Sequence, residues 1–563
     1  MARSAGPAIL LAITALFLIA NRSAFEGYFQ EEEMGLLNRA AQQRSFQLAQ
    51  SITVPRFPGR DLRPSGDLYF HILGRRFGLH FPPYVAVLQV LHVLNIWLIW
   101  ALAQRLGADL FAASAGALLF AFHMATFDAY WRPMYIYDVL CASFCLASLL
   151  LFTYRRWILS FGAFWLACKS KDLAIMLPAV LGLYEYWFGK RQWKILVPFC
   201  FVSAALGAQA VLLNPDRPTD FGFRFRPRAV ARTGFFYSGR ILLLPFAGLA
   251  IPALPLLFRD KRVWLGIAAM FLFFVPLAFV PGRMLTASCY VPLIGGAIAL
   301  SGIAVRERRA QVGLFLLFWV GWNALQLPLN QRQALAVATE NRVYVESLSK
   351  IAASALETST FICDGCPYAF GPRGVQSALQ YFSGRRDVRV WSIEERPAAQ
   401  ALLGSVPLTL LNWNPLAQKL SVIERRAGTP DASYLRMDRS TPVWQLLAGW
   451  YPLEDNVRPI HSVATARLFR PAAASGFAVT VHIGSELIRR AHKVRLTILM
   501  NGSVLGRRDF SASGLQTEQW AIVPRPAGAA VIEFRLDPPV DSTGDRFPGV
   551  AIADFGFISE SAS

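Results

Sequence analysis

The first 330 residues alternate between long apolar blocks and short polar stretches. Most blocks approach the roughly 20 residues that a helix needs to cross a hydrocarbon core of about 30 Å. The last 230 residues instead have the mixed pattern of water-facing sequence. Eleven membrane-spanning helices are predicted, at approximately 6–21, 83–103, 110–125, 136–154, 157–168, 172–188, 195–213, 239–258, 263–280, 288–305 and 312–328.

The tail has two patterns. Residues 330–357 predict a helix, and 358–430 mix short strands such as TFIC with helical runs, which indicates a small α/β region. From Gly449 the runs FAVTVHI, VRLTILM, AVIEFRL and VAIADFGFI predict strands. Asn501-Gly502 between two of them predicts a type I′ hairpin, because both central residues of that turn have positive φ. Several short strands separated by turn signals favour a β-sandwich.

The predicted fold class is therefore a polytopic α-helical membrane protein with a folded C-terminal tail. Its domains are a transmembrane domain at 1–329, with the first external loop at 22–82, a helix with a small α/β region at 330–448, and a β-sandwich at 449–563. The first apolar block could also be read as a cleaved signal peptide, but no clean small-x-small cleavage site follows it.

Composition agrees with a membrane protein, since 54% of the residues are hydrophobic and only 16% are charged, below the roughly 25% charged residues of soluble domains. The net charge of +20 could indicate a nucleic-acid partner. We expect none, because most basic residues lie in short loops between apolar blocks or among aromatic residues. Lipid headgroups and lipid-linked phosphates are the anions available there.

The short loops give the orientation. If Arg3 is cytoplasmic, the loops that contain Arg105, Arg155, Lys190 and Lys261 are all basic and cytoplasmic. Eleven crossings then place the tail outside, on the side of the 22–82 loop. The outer loops are basic as well, which indicates that an anion is handled on that face.

The seven cysteines fall into two groups. Cys363 and Cys366 lie in the polar tail, where a single Cys-x-x-Cys is a weak zinc signal. A local disulfide and two incidental thiols remain the alternatives. The other five are expected to pack as small hydrophobic residues: Cys141, Cys145, Cys168, Cys200 and Cys289.

Ionisable residues at membrane depth are costly and are functional by default. Such residues can also be structural, for example by pairing Lys171 with Asp172. All but His92 and Asn95 are predicted to lie near the outer edge of the bundle. The polar residues in or beside the predicted spans are His92, Asn95, His123, Asp128, Asp138, Lys169, Lys171 and Asp172.

Three stretches, in this order, carry a resemblance to a known family. DLRPSGDLYFHILGRRFGLHFPPYVAVLQVLHVLNIW is similar to an Arg-Pro pattern followed by Leu-His-x-Leu-Asn. ALLFAFHMATFDAYWRPMYIYDVL is similar to a His-Pro-x-His-x-Glu-x-x-x-Trp run that ends in Asp, and KSKDLAIMLPAVLGLYEY to a Ser-Lys-Glu motif. Over about 20–330 the chain thus resembles bacterial membrane glycosyltransferases of the GT-C superfamily, akin to protein O-mannosyltransferases.

The resemblance implies a set of substrate-binding residues. The chain departs from the family pattern at Phe127, where the second His is expected, at Met124, where Pro is expected, and beside Tyr290, where Arg283 is the nearest arginine that could replace an adjacent one. The implied substrate-binding residues are Arg63, His92, His123, Asp128, Arg132, Asp138, Lys171, Asp172 and Tyr290.

Three consecutive glutamates in FQEEEM follow the first span. GT-C enzymes place an acidic pair at this point of the first external loop. The resemblance therefore implies that Glu31 and Glu32 are catalytic, one acting as the general base that removes the acceptor hydroxyl proton. Glu33 is expected to turn outward or to cap the helix that follows. The alternative is a solvated acidic cap favoured by the helix dipole.

The family's donor is a sugar on a polyprenyl phosphate or pyrophosphate, and cations must hold the phosphate as it leaves. Lys171, Arg63, Arg132 and the FGFRFRPR stretch are the candidates. For Arg224, Arg226 and Arg228, lipid headgroup anchoring is the alternative role.

The expected function is transfer of a sugar from a polyprenyl-phosphate donor to an extracytoplasmic protein, lipid or glycan, at a bacterial inner membrane. No cofactor and no metal site is expected, although a divalent metal requirement stays open. The alternatives are a catalytically inactive sugar-lipid or glycan-binding membrane protein and a glycolipid transporter.

Overall fold

The computed structural model describes residues 2–54, 63–212, 223–354, 360–392, 408–425, 430–537 and 549–559. The chain divides into two compact units, Met1–Thr339 and Glu340–Ser563. The first is helical and the second contains the β-strands. The division falls inside one long helix, Arg309–Ser354, so the helix predicted at 330–357 continues the last apolar segment.

The first unit consists of helices joined by short loops and 3₁₀ turns. Its α-helices, in chain order, are α1 (Ala2–Ala20), α2 (Glu31–Gln42), α3 (Ser45–Thr53), α4 (Pro64–Phe77), α5 (Pro82–Arg105), α6 (Leu110–Ala121), α7 (Phe127–Trp131), α8 (Ile136–Thr153), α9 (Trp157–Cys168), α10 (Leu177–Trp187), α11 (Val197–Leu212), α12 (Pro227–Ile241), α13 (Leu254–Leu257), α14 (Lys261–Ala278), α15 (Pro292–Ile303) and α16 (Arg309–Ser354).

Four helical segments among the described residues are long and apolar enough to cross a membrane: Pro82–Arg105, Pro133–Thr153, Lys261–Ala278 and Arg306–Ala353. The pair Leu110–Ala121 and Met124–Trp131, bent by 50°, would add a fifth if it forms one span. The other apolar helices are shorter, among them Trp157–Cys168 and Pro292–Ile303. Within the described residues each predicted span contains helix, but the one at 239–258 consists of the end of α12, a break at 242–246, the 3₁₀ segment Ala247–Ala253 and the short α13. The number of spans that cross the membrane stays a prediction.

Small residues allow close helix packing in this unit. A Cβ at Gly266 on α14 would collide with backbone atoms of Gly295 and Ala299 on α15. A Cβ at Gly116 on α6 would collide with the Ala297 carbonyl of α15. Close backbone approach of this kind is how helices associate where no hydrophobic driving force is available.

The segment between α1 and α5 forms a helical cap that includes the three glutamates. Pro64 begins α4, where its missing N–H costs nothing. The imidazole of His71 on α4 contacts the Ala40 carbonyl through Nδ1 (3.1 Å) and Ser45 Oγ through Nε2 (2.9 Å). These contacts join α4 to the end of α2 and to α3, and so fix the cap that carries the glutamates.

After the end of α16, the second unit contains a small α/β region. Strand β1 (Thr360–Asp364) pairs in parallel with β2 (Arg389–Ser392) and β3 (Leu408–Asn414), and β4 (Lys419–Arg425) is antiparallel to β3. Helix α17 (Gly371–Ser383) connects β1 with β2. The predicted strand TFIC is confirmed as β1.

The remaining strands form one curled sheet. Its end strands face each other, since Arg508 of β10 pairs with Glu518 of β11 at 2.8 Å. The sheet has the order β10-β9-β12-β7-β13-β8-β11, with β5 on β13 and β6 on β7. Its elements are β5 (Tyr434–Arg436), β6 (Leu446–Trp450), β7 (Arg458–Arg470), β8 (Gly476–Ile483), α18 (Ser485–Ala491), β9 (Val494–Met500), β10 (Ser503–Phe510), β11 (Gly514–Ala521), β12 (Gly528–Asp537) and β13 (Val550–Ile558).

The four predicted runs are confirmed as β8, β9, β12 and β13. The predicted turn is confirmed as well, since Asn501 and Gly502 have φ of 52° and 82° and join β9 to β10. The sheet already includes β5 and β6, so it begins before the predicted boundary at 449. Because its strands form one continuous barrel-like path, division into the two layers of a sandwich stays a prediction.

Candidate active site

The three glutamates occupy the first turn of α2, and they differ in exposure. Glu33 is fully buried, Glu31 is partly buried, and the Glu32 side chain is 53% exposed. The Gln30 backbone N–H donates to Glu33 Oε2 at 2.7 Å, while the Gln30 side chain bonds the Glu33 N–H, which completes a capping box. Of the two alternatives expected for Glu33, helix capping is therefore confirmed, and an outward-facing side chain is wrong.

Glu33 also reaches across to the start of α8. Its Oε1 accepts the Met134 N–H at 3.4 Å and lies 3.6 Å from Arg132 Nε. Burial raises the pKa of the Glu33 carboxyl, and the Arg132 charge acts against that rise. Both Glu33 oxygens thus have protein partners, and Glu33 fixes the start of α2 against the segment that contains Arg132.

Arg132 brings Glu32 into the same arrangement. Its Nη2 lies 3.5 Å from Glu32 Oε2. Glu32 keeps about half of its side-chain surface exposed, so a hydroxyl group from solvent or substrate can approach its carboxylate. Of the three glutamates, Glu32 combines a fixed position with the greatest exposure.

Lys171 and Asp138 form an ion pair at the end of α9 and the start of α8. Lys171 Nζ donates to Asp138 Oδ1, and the side chains are 14% and 4% exposed. Asp138 lies in the first turn of α8, where the helix dipole favours a carboxylate. A lysine ammonium has three donors, so the Asp138 bond leaves Lys171 with N–H groups for a further acceptor.

Arg63 and Asp172 add a second pair beside Lys171. Arg63 Nη2 lies 3.3 Å from Asp172 Oδ2, and the Arg63 guanidinium lies over the Tyr137 ring at 6.0 Å. The Tyr137 hydroxyl donates to Asp67 Oδ1 at 2.7 Å. The sequence interpretation expected Lys171 to pair with Asp172 if these residues are structural, but Asp172 pairs with Arg63 and Lys171 with Asp138.

Sequence reasoning missed Asp67. It is 4% exposed on α4, one helical turn after Arg63, and burial raises the pKa of its carboxyl. A Cβ at Gly66 would collide with the Tyr137 ring, so the glycine allows Tyr137 to approach this turn. The available signal was DLRPSGD, which places a second acidic residue four positions after an arginine.

Arg283 links the glutamates to the Lys171 pair. Burial and the like charge of Arg63 lower the pKa of Arg283, while Glu32 and Asp138 interact with it favourably. Arg283 therefore interacts electrostatically both with Glu32 in the first turn of α2 and with Asp138, the partner of Lys171. We call these residues the charged cluster: Glu32, Glu33, Arg63, Asp67, Arg132, Asp138, Lys171, Asp172 and Arg283.

Other predicted binding residues lie deeper in the bundle. His92 is fully buried, and its Nδ1 lies 2.7 Å from the Tyr290 hydroxyl. The Asn95 amide donates to the same hydroxyl and to the Val139 carbonyl, both at 3.2 Å. The structure brings His92, Asn95 and Tyr290 together in a buried network that joins α5 to α8 and to the residues before α15. Substrate binding by His92 and Tyr290 stays a prediction.

His123 is fully buried, while its predicted position near the outer edge stays a prediction. Its Nε2 lies 2.9 Å from the Ile241 carbonyl, and its Nδ1 accepts the Ala125 N–H at 3.2 Å. Both ring nitrogens therefore contact backbone groups. Asp128 remains partly exposed one turn before Arg132, and its charge acts on that arginine.

Three solved structures are similar to the chain in part. ArnT from Cupriavidus metallidurans bound to undecaprenyl phosphate has a TM-score of 0.42 and 13% sequence identity, and the match covers 74% of this chain and 98% of that one. Apo ArnT from the same organism has a TM-score of 0.44 and 14% identity, with 78% of this chain and 97% of that one covered. The arabinofuranosyltransferase AftD from Mycobacteria has a TM-score of 0.41 and 11% identity, with 97% of this chain and 61% of that one covered. All are GT-C membrane glycosyltransferases.

No family model and no curated protein sequence matches the chain. TM-scores below 0.5 describe a partial likeness of shape, so a function for this chain must be argued from its own residues. Among the described residues, no group of three or more His, Cys, Asp or Glu side chains is placed to hold a metal ion.

The raised pKa of Glu33 predicts a pH effect on stability. Folding favours the protonated carboxyl, so this contribution is complete below the ordinary glutamate pKa and is lost as pH rises through the folded value. Glutamine stays neutral and keeps an acceptor oxygen. We expect the melting temperature of Glu33→Gln, relative to the unmodified protein, to increase as pH rises from about 4. Thermal unfolding in detergent at a series of pH values measures this, and a constant or decreasing difference would contradict it.

Proposed function

We propose that the chain transfers a sugar from a polyprenyl-phosphate donor to an extracytoplasmic acceptor. The observation that carries the proposal is the charged cluster, which combines a half-exposed carboxylate, Glu32, with cations at Arg63, Lys171 and Arg283. Transfer of a glycosyl group from a phosphate requires both kinds of group, a base for the acceptor and positive charge for the leaving phosphate.

Glu32 is the proposed general base. As the acceptor oxygen forms its bond to the anomeric carbon, the hydroxyl proton passes to the Glu32 carboxylate. Arg132 holds the Glu32 carboxylate in place through the contact of its Nη2 with Glu32 Oε2. Glu33 has a positioning role, because it fixes Arg132 and the first turn of α2.

Lys171, Arg63 and Arg283 are the proposed phosphate ligands. As the bond between the anomeric carbon and the phosphate oxygen breaks, its electron pair stays on the phosphate, whose added negative charge the cations stabilise. Asp138 orients Lys171, and Tyr137 supports Arg63 from below the guanidinium. A single displacement of this kind inverts the anomeric configuration.

The membrane arrangement belongs to the same proposal. We place the charged cluster and the tail on the extracytoplasmic side of a bacterial inner membrane, with eleven spans and a β-sandwich at the end of the chain. The support is the basic character of the alternate loops, such as those at Arg105, Arg155 and Lys190.

Lys171→Met tests the phosphate site. We expect donor affinity to fall by about tenfold to a hundredfold, because a charge-assisted hydrogen bond to phosphate contributes about 1.5–3 kcal/mol. The measurement is the binding of undecaprenyl phosphate to the purified protein, monitored by how far the bound lipid raises the melting temperature of the protein. Lys350→Met, on α16 in the second unit, is the matched control. If undecaprenyl phosphate protects Lys171→Met and the unmodified protein equally against thermal unfolding, Lys171 is not a phosphate ligand.

Turnover tests the reaction itself and is measured with a panel of polyprenyl-phosphate sugars. A catalytically inactive binding protein would bind such donors without releasing sugar from them. A transporter would move the intact glycolipid across the bilayer of a vesicle.

A further inference from the structure

Helix α12 has one buried face and one exposed basic face. The buried face includes Ala229, Thr233, Tyr237 and Ile241, which recur every four residues, and Ser238 beside them. The exposed side and the residues before the helix contain Arg224, Arg226, Arg228 and Arg232, with Phe225 61% and Phe235 53% exposed.

The helix lies at the end of a candidate membrane span. The Arg224 N–H donates to the Phe279 carbonyl at 2.7 Å, and the Thr233 hydroxyl donates to the Ala278 carbonyl at 2.9 Å. Phe225 packs on Phe279 with 5.0 Å between ring centroids. Since α14 ends at Ala278, these contacts place the first half of α12 where an apolar span gives way to polar surroundings, which is the depth of lipid headgroups.

The charge of this surface is uniformly positive. Residues 223–241 contain five arginines and no aspartate or glutamate. None of Arg224, Arg226, Arg228 and Arg232 forms an ion pair within the part of the chain that the structure describes. Basic groups on one side of a helix with exposed aromatic rings beside them are typical of helices that lie in a membrane surface.

We propose that these four arginines bind the headgroups of anionic phospholipids in the outer part of the bilayer, while Phe225 and Phe235 insert among the acyl chains. The row extends over nine residues, from an extended segment into the first turns of α12, and so measures about 15 Å. That length exceeds the reach of one phosphate group. The row therefore suits several neighbouring headgroups better than the single phosphate of a glycosyl donor.

Lipid competition tests this proposal. The purified full chain in a zwitterionic detergent is mixed with equal amounts of phosphatidylglycerol and phosphatidylcholine that have the same acyl chains, and the bound lipids are counted by native mass spectrometry. We expect a preference for phosphatidylglycerol that weakens with added salt. Substituting all four arginines by glutamine should lower affinity for phosphatidylglycerol by at least about tenfold.

Two control variants make the result specific. The first control variant loses the same number of positive charges elsewhere, at four exposed positions of the second unit. Its substitutions are Arg489→Gln, Arg490→Gln, Arg507→Gln and Arg508→Gln. This control variant should keep the preference for phosphatidylglycerol. A second control has lysine at the four arginine positions of the α12 row, retains their positive charge and should keep the preference as well. It tests the proposal even if the glutamine variant folds poorly.

Three outcomes would overturn the proposal. The unmodified protein binds both phospholipids equally, the glutamine variant keeps the preference, or the lysine variant loses it. Undecaprenyl phosphate is added in a further arm. If an equal amount of it displaces phosphatidylglycerol from the unmodified protein, and its own binding falls in the glutamine variant, the arginines bind a single-phosphate lipid and the assignment to bilayer headgroups is wrong.

Discussion

Glu32→Gln should lower kcat for sugar transfer by about 10²- to 10⁴-fold, the usual contribution of a general base. Glutamine keeps the size of the side chain and an oxygen near Arg132, but it cannot accept the acceptor proton. Donor affinity should change little, because Glu32 is not among the proposed phosphate ligands. The measurement is steady-state transfer by purified protein, with kcat and donor KM determined separately.

Glu26→Gln is the control for this experiment, since it makes the same substitution at an exposed position of the same segment between α1 and α5. It should keep the rate of the unmodified protein. Glu31→Gln should cost less than Glu32→Gln, because Arg132 pairs with Glu32. Retention of most of the turnover by Glu32→Gln would contradict the assignment of the base.

Arg458→Met should destabilise the second unit by about 3–5 kcal/mol, the cost of leaving a buried charge without its partner. Arg458 donates to both oxygens of Asp364, at 2.8 and 2.6 Å, and both side chains are almost fully buried. The pair joins β1 of the α/β region to β7 of the curled sheet. Asn412 also donates to Asp364, at 3.0 Å, so the carboxylate would keep one neutral donor in the variant.

Hydrogen exchange of β1 and β7 measures this loss inside the second unit, without interference from the helical unit. The variant Asp364→Leu/Arg458→Met should recover much of the protection, because it leaves no unpaired charge. Arg495→Met, in the exposed pair with Asp509, is the control and should change exchange little. Full protection in Arg458→Met would show that the pair does not hold the two sheets together.

Much of the fold could be predicted because local patterns determine it. Alternation of apolar residues marked β8, β9, β12 and β13, and Asn501-Gly502 specified a turn with two positive φ angles. Apolar blocks marked the helices of the first unit. Periodicity could not predict that β5 and β6 join the sheet, because both strands are short. β5 pairs with β13, more than a hundred residues later, and the pairing of β6 with β7 is interrupted by register shifts.

The site was predictable in its residue types but not in its pairings. The sequence selected Lys171, Glu31 and Glu32, and of these the charged cluster contains Lys171 and Glu32, together with Glu33. Which glutamate is buried depends on the contacts of Glu33 with Arg132 and Met134, a hundred residues away in the chain. The burial of His123 likewise depends on a carbonyl of α12. Contacts of this range leave no periodic signal.

Release of polyprenyl phosphate is the most direct test of the central claim that Glu32 and Lys171 act on one reacting sugar. The purified chain is incubated with polyprenyl-phosphate sugars and acceptor-containing membrane extract, and the freed lipid phosphate is measured by mass spectrometry. The account predicts release by the unmodified protein and severe loss of release in Glu32→Gln and in Lys171→Met. The variant with both substitutions should release the lipid phosphate no faster than the uncatalysed reaction. Absence of release from every donor, or release at full rate by either variant, would contradict it.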